Sequence, residues 1–255
     1  MNELLRVRGL SRNFGGVQAL TEVSLTVRQQ EIYGLIGPNG AGKTTLFNIL
    51  TGLIPPGSGE ILFGGHALTG LPPHRILRQG LARTFQNIRL FPGLTALENV
   101  MVGRHSRSKA GVLGAILRNR QTRTEEAGIR AHAETLLDRL GIGHHRDALA
   151  ANLSYGDQRR LEIARALASE PQLLALDEPA AGMNQAERNA LAGLIRQLRS
   201  EWRLTVLIIE HDVRLMMALC DRIAVLDFGR IIAEDVPERI RSDEQVIRAY
   251  LGGEA

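Results

Sequence analysis

Four short stretches of the chain are continuously apolar rather than alternating between apolar and polar residues. They are Ile32–Gly37, Leu173–Asp177, Thr205–Glu210 and Ile223–Asp227. Continuous apolar runs of this length are typical of parallel strands that are covered on both faces. Polar residues follow each run, and helical patterns follow most of them. We therefore predict an α/β fold whose parallel sheet has helices on both faces and a ligand site at the carboxyl ends of its strands.

Other parts of the chain follow different patterns. The N-terminal stretch to about Val27 alternates apolar and polar residues, which predicts half-exposed antiparallel strands. From Thr95 to about Ser169 the pattern is mostly helical, with apolar residues at helical spacing before Gly141. This block interrupts the alternation of strands and helices, so we predict that it is an inserted helical subdomain. Residues 234–252 predict a short helical tail.

Residues 103–128 are basic, contain scattered glycines and show little periodicity. We interpret them as an excursion that is mobile or faces a partner. Arginines are frequent from Arg104 to Arg130, but no aromatic residue is interleaved with them for stacking on bases. A solvated basic face is therefore the favoured interpretation, and we expect no nucleic-acid partner.

The composition narrows the class of protein: of 255 residues, 44% are hydrophobic and 23% charged, as in ordinary globular proteins. The net charge of +4 is small for this length, and the one cysteine, Cys220, excludes an internal disulfide. We therefore expect a reducing compartment. The start of the chain has no signal-peptide pattern, and no apolar run approaches the roughly 20 residues that span a bilayer. We expect any membrane role to depend on a partner protein.

The segment GPNGAGKTT, residues 37–45, matches the phosphate-binding pattern G-x-x-x-x-G-K-[ST]. It lies between a predicted strand and a predicted helix, Thr44 to Leu50, as that pattern requires. Backbone N–H groups of such a loop, together with the helix N-terminus, bind phosphate oxygens. Lys43 is one of only two lysines among 31 lysine and arginine residues. We predict that it contacts the β- and γ-phosphates of a nucleoside triphosphate, while the Thr44 hydroxyl binds Mg²⁺.

Two carboxylates end the second apolar run, in LLALDEP. Burial of Asp177 without a partner would be unfavourable, and a Mg²⁺ ion that bridges the phosphates would compensate its charge. Glu178 follows directly and could orient or deprotonate a water molecule for in-line attack. The alternative is that both carboxylates simply end a strand, but a phosphate-binding loop in the same chain favours catalysis.

The stretch LSYGDQRRLEIARAL, residues 153–167, starts a predicted helix with an N-cap at Ser154. Arg159 and Glu162 are three residues apart, the spacing of an ion pair on one helix face. One interpretation is a capped, arginine-rich surface helix. The other is that Ser154, Gly156 and the helix N-terminus bind a γ-phosphate.

This stretch resembles the signature of the ATP-binding-cassette family, usually written LSGGQ and followed by a basic, alanine-rich helix. Tyr155 and Asp157 depart from the usual signature, whereas Ser154 and Gly156 are retained. The resemblance covers nearly the whole chain, and it is closest to the ATPases of branched-chain amino acid transporters. The stretches DEPAAGMN and VIRAYLG support that subfamily.

Further motifs of the family occur in the expected order. The resemblance implies that Gln86 in ARTFQN senses Mg²⁺ and the attacking water, and that His211 in IIEHDV contacts the γ-phosphate. It also implies that Phe14 stacks on adenine, the alternative being a phenylalanine of the core. Asn184 stands where the family has the D-loop aspartate. The implied catalytic residues are Glu178, His211 and Gln86, and the implied Mg²⁺ ligands are Thr44, Gln86 and Asp177.

The family fold implies a P-loop NTPase (RecA-like) core with a parallel sheet, an N-terminal antiparallel β subdomain and an inserted helical signature subdomain. Within one ATPase domain, the core would comprise residues 1–94 and 170–240, the helical subdomain 95–169 and the tail 241–255. In the family, each ATP lies between the loop of one subunit and the signature of another. The implied ATP contacts are Phe14, Gly37, Pro38, Asn39, Gly40, Ala41, Gly42, Lys43, Thr44 and Thr45, and, across the dimer, Ser154, Tyr155, Gly156, Asp157 and Gln158.

The function that the resemblance implies is ATP hydrolysis that powers the import of branched-chain or related amino acids through ATP-dependent dimerisation. The implied partners are transmembrane permease subunits, a second ATPase subunit (a copy or a sister ATPase) and, indirectly, a solute-binding protein. The chain would then lie in the cytoplasm, on the inner face of the cell membrane. The alternatives are an ABC ATPase for another solute, such as urea, lipid or lipopolysaccharide, and a soluble ABC-type ATP switch. A soluble switch would predict a long coiled-coil insertion or tandem cassettes, which the sequence pattern does not show.

Overall fold

The computed structural model describes residues 2–107 and 120–251. The chain forms two compact units, one made of residues 1–86 and 172–255 and the other of residues 87–171. The subdomain boundaries given by the sequence stay a prediction.

The first unit contains a six-stranded sheet whose central strands are buried at every residue. Its strands are β3 (Ile32–Ile36), β6 (Leu81–Arg83), β7 (Leu173–Asp177), β8 (Thr205–Ile209), β9 (Arg222–Asp227) and β10 (Arg230–Asp235). They lie in the order β10-β9-β3-β8-β7-β6, and all neighbours are parallel except β9 and β10. The predicted parallel sheet is confirmed by these pairings. Strands covered on both faces need apolar residues at nearly every position, which explains why the apolar runs predict them.

The first unit also contains a four-stranded antiparallel sheet. Its strands are β1 (Glu3–Phe14), β2 (Val17–Arg28), β4 (Ser58–Phe63) and β5 (His66–Ala67), in the order β2-β1-β4-β5. Buried residues recur along β1 and β2 between half-buried and exposed ones, as expected for strands with one face in the core. The buried face of this sheet shares one apolar core with the six-stranded sheet.

Helices connect the strands of the first unit and make up most of the second. In chain order, the described helices are α1 (Lys43–Leu50), α2 (Pro73–Gln79), α3 (Ala96–Arg104), α4 (Arg120–Arg139), α5 (Tyr155–Leu167), α6 (Gln185–Trp202), α7 (Val213–Leu219), α8 (Pro237–Ser242) and α9 (Glu244–Leu251). Helices α1, α6 and α7 follow the carboxyl ends of β3, β7 and β8, so the connecting loops meet at the sheet edge where α/β proteins bind ligands. Among the described residues, no helix combines the length and apolar character that crossing a membrane requires.

The second unit is built from helices α3, α4 and α5. Helix α3 begins with a capping box, in which the Thr95 hydroxyl accepts the Glu98 N–H at 3.2 Å and the Glu98 carboxylate accepts the Thr95 N–H at 2.8 Å. The buried Asn99 side chain fixes the preceding loop, because its amide donates to the carbonyls of Phe91 and Leu94. The predicted helical character of this block is confirmed.

The predicted excursion, residues 103–128, is helical in its last part, and its mobility or contact with a partner stays a prediction. Residues 120–128 form the first turns of α4, and their side chains from Arg123 to Gly128 are exposed or half-buried. Exposed helical turns need no apolar stripe, so periodicity alone does not reveal them. Residues 108–119, the middle of the predicted excursion, lie outside the described residues.

The predicted helical tail from residue 234 begins too early, because Glu234 and Asp235 belong to strand β10. This strand follows β9 through a two-residue turn in which Phe228 has φ 41° and Gly229 has φ 74°. Positive φ at both central residues is the requirement of a tight hairpin turn. Strand β10 is a half-buried edge strand and therefore lacks the continuous apolar run that marks the central strands.

Candidate active site

The loop between β3 and α1 is so closely packed that two of its glycines have no room for a side chain. A Cβ atom on Gly37 would lie 2.0 Å from the Leu226 carbonyl oxygen, and one on Gly42 would lie 2.6 Å from the Ala19 carbonyl oxygen. Gly42 has φ 105° and is the N-cap of α1. The loop predicted to bind phosphate thus ends on a helix N-terminus, where backbone N–H groups can bind an anion.

We expect Gly37→Ala to lower the free energy of unfolding by about 2–3 kcal/mol, because the new methyl group must displace the Leu226 carbonyl. Gly40→Ala is the matched control, since Gly40 also has a positive φ, 79°, but no atom lies within 4 Å of its Cβ position. Chemical denaturation of both variants measures the difference. Equal losses would show that the close approach at Gly37 contributes nothing.

Lys43 is the first residue of α1, and only 5% of it is exposed. Its Nζ donates hydrogen bonds to the carbonyl oxygens of Gly37 at 2.7 Å and Pro38 at 2.8 Å. Burial lowers the pKa of Lys43, and the negative charge of Glu178 opposes this effect. The ammonium group therefore lies within the loop, close to the N–H groups that can bind phosphate oxygens.

Glu178 lies at the centre of a hydrogen-bonded group of three side chains. Its Oε2 accepts from Gln86 Nε2 at 2.7 Å, and its Oε1 lies 2.5 Å from His211 Nε2. Glu178 is 8% exposed and has φ 46°, a backbone conformation that is often found at functional sites when the residue is not glycine. The structure thus brings together the three residues that the sequence predicts to be catalytic.

Glu210 holds two backbone segments of this site in place, a role that the sequence pattern does not reveal. Its Oε1 accepts the Ala180 N–H at 2.5 Å, and its Oε2 accepts the His211 N–H at 3.2 Å. Burial raises the pKa of Glu210, whereas the bonds from these two N–H groups lower it. The only signal in the sequence is a carboxylate directly after the apolar strand β8.

A cavity of about 460 Å³ opens beside the phosphate-binding loop. It is lined by Val17, Gln18 and Ala19, by loop residues 39–45, and by Gln86, Glu178, His211 and Phe228. Phe228 is 86% exposed at the turn between β9 and β10. A single phenylalanine in a turn carries no pattern from which its place at the cavity could be predicted. The cavity is open to solvent next to Lys43 and Glu178, as a nucleotide site requires.

Phe14 lies at the end of β1 and is 44% exposed, so it is not a phenylalanine of the core. The Arg12 guanidinium lies 5.0 Å from the centre of its ring. Phe14 is not among the described residues that line the cavity, whereas Val17 and Gln18, just after it, are. Its contact with adenine stays a prediction.

The carboxylate of Asp177, at the end of β7, is paired with a guanidinium. Arg83 Nη2 donates to Asp177 Oδ2 at 2.6 Å, and the two side chains are only 6% and 4% exposed. The sequence predicts that a metal ion compensates the charge of Asp177. In the structure the Arg83 guanidinium also compensates it. Strand β6, which carries Arg83, has three residues, too few for a pattern that would place it beside Asp177.

The predicted signature residues lie at the N-terminus of α5 in the second unit. Ser154 Oγ accepts the Asp157 N–H at 3.2 Å and donates to the Asp157 carboxylate at 2.7 Å, which confirms the predicted N-cap. Ser154 and Tyr155 are exposed, and Gly156 is half-buried. Gln158 Nε2 donates to a backbone carbonyl just before the helix, at 3.1 Å. This helix N-terminus is therefore accessible to an anion.

The interpretation of α5 as an arginine-rich surface helix is wrong at Arg159, whose side chain is fully buried. Its Nη1 donates to the Glu162 carboxylate at 3.0 Å, and its Nη2 donates to the Tyr155 hydroxyl at 2.9 Å. Glu162 also accepts the Arg89 N–H at 3.3 Å. This buried pair holds the side chain of Tyr155 and thereby supports the start of α5.

Asn184, which replaces the usual aspartate, is the N-cap of α6. Its Oδ1 accepts the Glu187 N–H at 3.0 Å, and Glu187 Oε2 accepts the Asn184 N–H at 2.8 Å. Asparagine and aspartate are similarly good N-caps, so the substitution preserves the start of this helix.

The chain matches known families along most of its length. A family model described as ABC transporter matches residues 20–181. The chain belongs to the ABC transporter family. A second model, described as branched-chain amino acid ATP-binding cassette transporter, matches residues 230–255 of this ABC ATPase.

Relatives of this ABC ATPase include the high-affinity branched-chain amino acid transport ATP-binding proteins LivG and BraF. LivG of Escherichia coli (strain K12) is 47% identical over 249 residues, which cover 98% of each chain. BraF of Pseudomonas aeruginosa is 44% identical over 249 residues, again 98% of each chain. Among solved structures, an ATP-binding cassette of an ABC transporter in its ADP conformation matches with a TM-score of 0.86 and 31% identity, over 99% of this chain and all of that chain. The predicted family, fold class and ABC ATPase assignment are confirmed.

Proposed function

We propose that the chain is the ATP-binding and ATP-hydrolysing subunit of an importer for branched-chain or related amino acids. The observation that carries this proposal is the cavity in which Lys43, Glu178 and His211 meet beside the phosphate-binding loop. The names of LivG and BraF, which give branched-chain amino acid transport, support the solute class. The match of residues 230–255 to a family model of the same description supports it as well.

The loop binds the phosphates of ATP, in this proposal, through its backbone N–H groups and Lys43. Nothing has to be refolded for this, since the N-terminus of α1 already ends the loop. Lys43 only has to exchange its bonds to the Gly37 and Pro38 carbonyls for bonds to phosphate oxygens. A charged hydrogen bond to phosphate is stronger than one to a neutral carbonyl, which favours the exchange.

Glu178 acts as the general base of hydrolysis. It accepts a proton from the water that attacks the γ-phosphate, while the bond from Gln86 Nε2 holds its Oε2 in place. His211 Nε2, 2.5 Å from Oε1, fixes the other oxygen and lies where it can contact the γ-phosphate. Glu210 in turn holds the backbone of His211. The bond between the γ-phosphorus and the oxygen that joins it to the β-phosphate breaks. ADP, the leaving group, stays bound to the loop.

The residues around the loop fit a Mg²⁺ ion, because they offer the oxygen donors that this ion prefers. Thr44 contributes a hydroxyl and Gln86 an amide oxygen, and both residues line the cavity. Asp177 contributes a buried carboxylate at the end of β7. Bound Mg²⁺ would neutralise charge on the β- and γ-phosphates.

A second anion-binding surface in the same chain supports a site shared between subunits. The N-terminus of α5 presents Ser154 and Tyr155 to solvent, at the end of a helix that carries the family signature. We propose that residues 154–158 of one subunit close over the ATP held by the loop of a second, which is a copy or a sister ATPase. Loss of the γ-phosphate contacts to Ser154 and His211 then opens the dimer, a shift between two states that bind ATP with different affinity.

The remaining partners are transmembrane permease subunits and, through them, a solute-binding protein. The names of LivG and BraF, which give ATP-binding proteins of amino acid transport, support these partners. The ATPase then works in the cytoplasm on the inner face of the cell membrane, where ATP is available. We propose that the helical subdomain, predicted as residues 95–169, transmits the movement to the permease.

Lys43→Arg is expected to weaken ATP binding about 100-fold, the loss of a charge-assisted bond of roughly 3 kcal/mol. The Lys43 ammonium has carbonyl oxygens at 2.7 and 2.8 Å, and the broader guanidinium cannot occupy that position beside a phosphate. Equilibrium binding of a fluorescent ATP analogue measures the affinity, and the unfolding midpoint without nucleotide serves as the control for folding. If Lys43→Arg bound the ATP analogue as tightly as the wild type, the proposed contact between the Lys43 ammonium and the phosphates would be contradicted.

Isolation of the chain from membranes together with its bound subunits tests the transport function. The isolated assembly, reconstituted in vesicles, should hydrolyse ATP faster when a solute-binding protein loaded with leucine, isoleucine or valine is added. LptB of Haemophilus influenzae, the ATP-binding protein of a lipopolysaccharide export system, is 38% identical and represents the competing solute class. Stimulation by lipopolysaccharide and not by these amino acids would contradict the proposed solute.

A further inference from the structure

The Arg83 guanidinium connects three elements next to the end of β7. Its Nη2 donates to Asp177 Oδ2 at 2.6 Å. Its Nη1 donates to Asn48 Oδ1 at 2.8 Å and to Thr51 Oγ1 at 2.9 Å, in α1 and just after it. One side chain therefore joins β6, the carboxylate that ends β7, and the helix that follows the phosphate-binding loop.

The ion pair of Arg83 and Asp177 is buried, so each charge needs the other as its counter-ion. Both side chains are almost fully buried, and the rings of Phe47 and Phe85 lie 5.5 and 5.1 Å from the Arg83 guanidinium. Lys43 points elsewhere, since its ammonium is bonded to carbonyls of the loop. Asp177 therefore has its charge compensated by Arg83, and removal of that cation leaves an uncompensated carboxylate in the protein interior.

We propose that Arg83 is a positioning residue that holds Asp177 ready for Mg²⁺ and makes metal binding depend on nucleotide. This rests on the proposed function, in which Asp177 is a metal ligand. The bond from Arg83 uses Oδ2, so Oδ1 is left for the metal. Because Arg83 already neutralises Asp177, Mg²⁺ alone gains little at this carboxylate. The phosphates of ATP supply the negative charge that brings the ion in.

Thermal unfolding of the nucleotide-free protein, with and without about 10 mM MgCl₂ at matched ionic strength, tests this proposal. The wild-type midpoint should not respond to Mg²⁺. Arg83→Gln should unfold at a lower temperature and regain about 3–5 °C with Mg²⁺, the rise expected for a tenfold excess over a millimolar Kd. A merely structural arginine would lower the midpoint without creating a response to the metal.

Two variants serve as controls. Arg83→Gln combined with Asp177→Asn should lose the response to Mg²⁺, because the uncompensated carboxylate is gone. Ile208→Ala destabilises the same unit by truncating a fully buried side chain of β8, and it leaves every carboxylate with its partner. It should lower the midpoint and remain insensitive to Mg²⁺.

If Arg83→Gln does not fold, Arg83→Lys takes its place. An ammonium keeps the charge but cannot bond Asp177, Asn48 and Thr51 together. We then expect Mg²⁺ to raise the unfolding midpoint by a smaller amount. The proposal is overturned if the Arg83 variants are as insensitive to Mg²⁺ as Ile208→Ala, or if the wild type responds equally. An error in the proposed function would be seen in a different measurement, because the wild-type assembly would then show no Mg²⁺-dependent ATP hydrolysis.

Discussion

Glu178→Gln is expected to slow ATP hydrolysis by a factor of about 100 to 10,000 while ATP still binds. Glutamine has the size of glutamate and can remain between Gln86 and His211, at the positions now held by bonds of 2.7 and 2.5 Å. It cannot accept a proton from the attacking water. Phosphate release measured at saturating ATP gives the rate, and sedimentation with MgATP should show an accumulated dimer because the ATP-bound state no longer decays.

Glu187→Gln is the matched control for this experiment. Glu187 belongs to the capping box of α6, where glutamine can replace it, and its exposed carboxylate lies outside the catalytic group. Hydrolysis by this variant should equal that of the wild type. Wild-type hydrolysis by Glu178→Gln would remove Glu178 from the mechanism, whatever the state of the dimer.

The second large effect is expected on stability, from Arg159→Met. The side chains of Arg159 and Glu162 are 0% and 1% exposed and 3.0 Å apart, so Arg159→Met removes the cation that is bonded to a buried carboxylate. The Tyr155 hydroxyl loses its bond from Arg159 as well. We expect the free energy of unfolding to fall by about 3–5 kcal/mol. Urea denaturation followed by circular dichroism measures the change.

Two further variants test whether the loss of stability comes from the buried charge that remains or from the loss of an arginine in general. Arg159→Met combined with Glu162→Leu should regain most of the lost stability, because the carboxylate that Arg159 neutralises is removed with it. Arg130→Met breaks an exposed pair with Glu134, 3.1 Å apart, and should lose less than about 1 kcal/mol. A loss in Arg159→Met no larger than that in Arg130→Met would contradict the role of the buried pair.

The features that the sequence predicts well depend on residues close together in the chain. Strands β3, β7 and β8 are covered on both faces, so apolar runs are nearly sufficient to locate them. The phosphate-binding loop is predicted from glycines, a lysine and a threonine at fixed spacing within residues 37–45. Ser154 caps the helix that it begins. In each case the pattern lies in one short stretch of sequence, although the atoms that exclude a side chain at positions 37 and 42 belong to Leu226 and Ala19.

The features that the sequence misses depend on contacts between distant segments. Arg83 meets Asp177 94 residues further along the chain, and Glu210 meets Ala180 across 30 residues. No spacing rule connects such positions. Strand β10 is missed because one face of an edge strand is solvated, and Phe228 acquires its place only when β9 and β10 pair. These tertiary contacts complete a site whose local parts the sequence already indicates.

A cysteine in place of Ser154 tests whether the signature of one subunit closes over the ATP held by another. Cys220 is the only natural cysteine, and burial raises the pKa of its thiol, so it does not compete for a labelling reagent. In the Glu178→Gln background, the assembly isolated with its bound subunits is labelled with a maleimide, and exposed Ser200→Cys serves as the control. We expect MgATP, relative to MgADP, to slow labelling of Ser154→Cys at least about tenfold, as closure of a dimer over this helix end requires, and to leave Ser200→Cys unchanged. Equal labelling rates of Ser154→Cys with MgATP and MgADP, in an assembly that binds both nucleotides, would contradict the shared site.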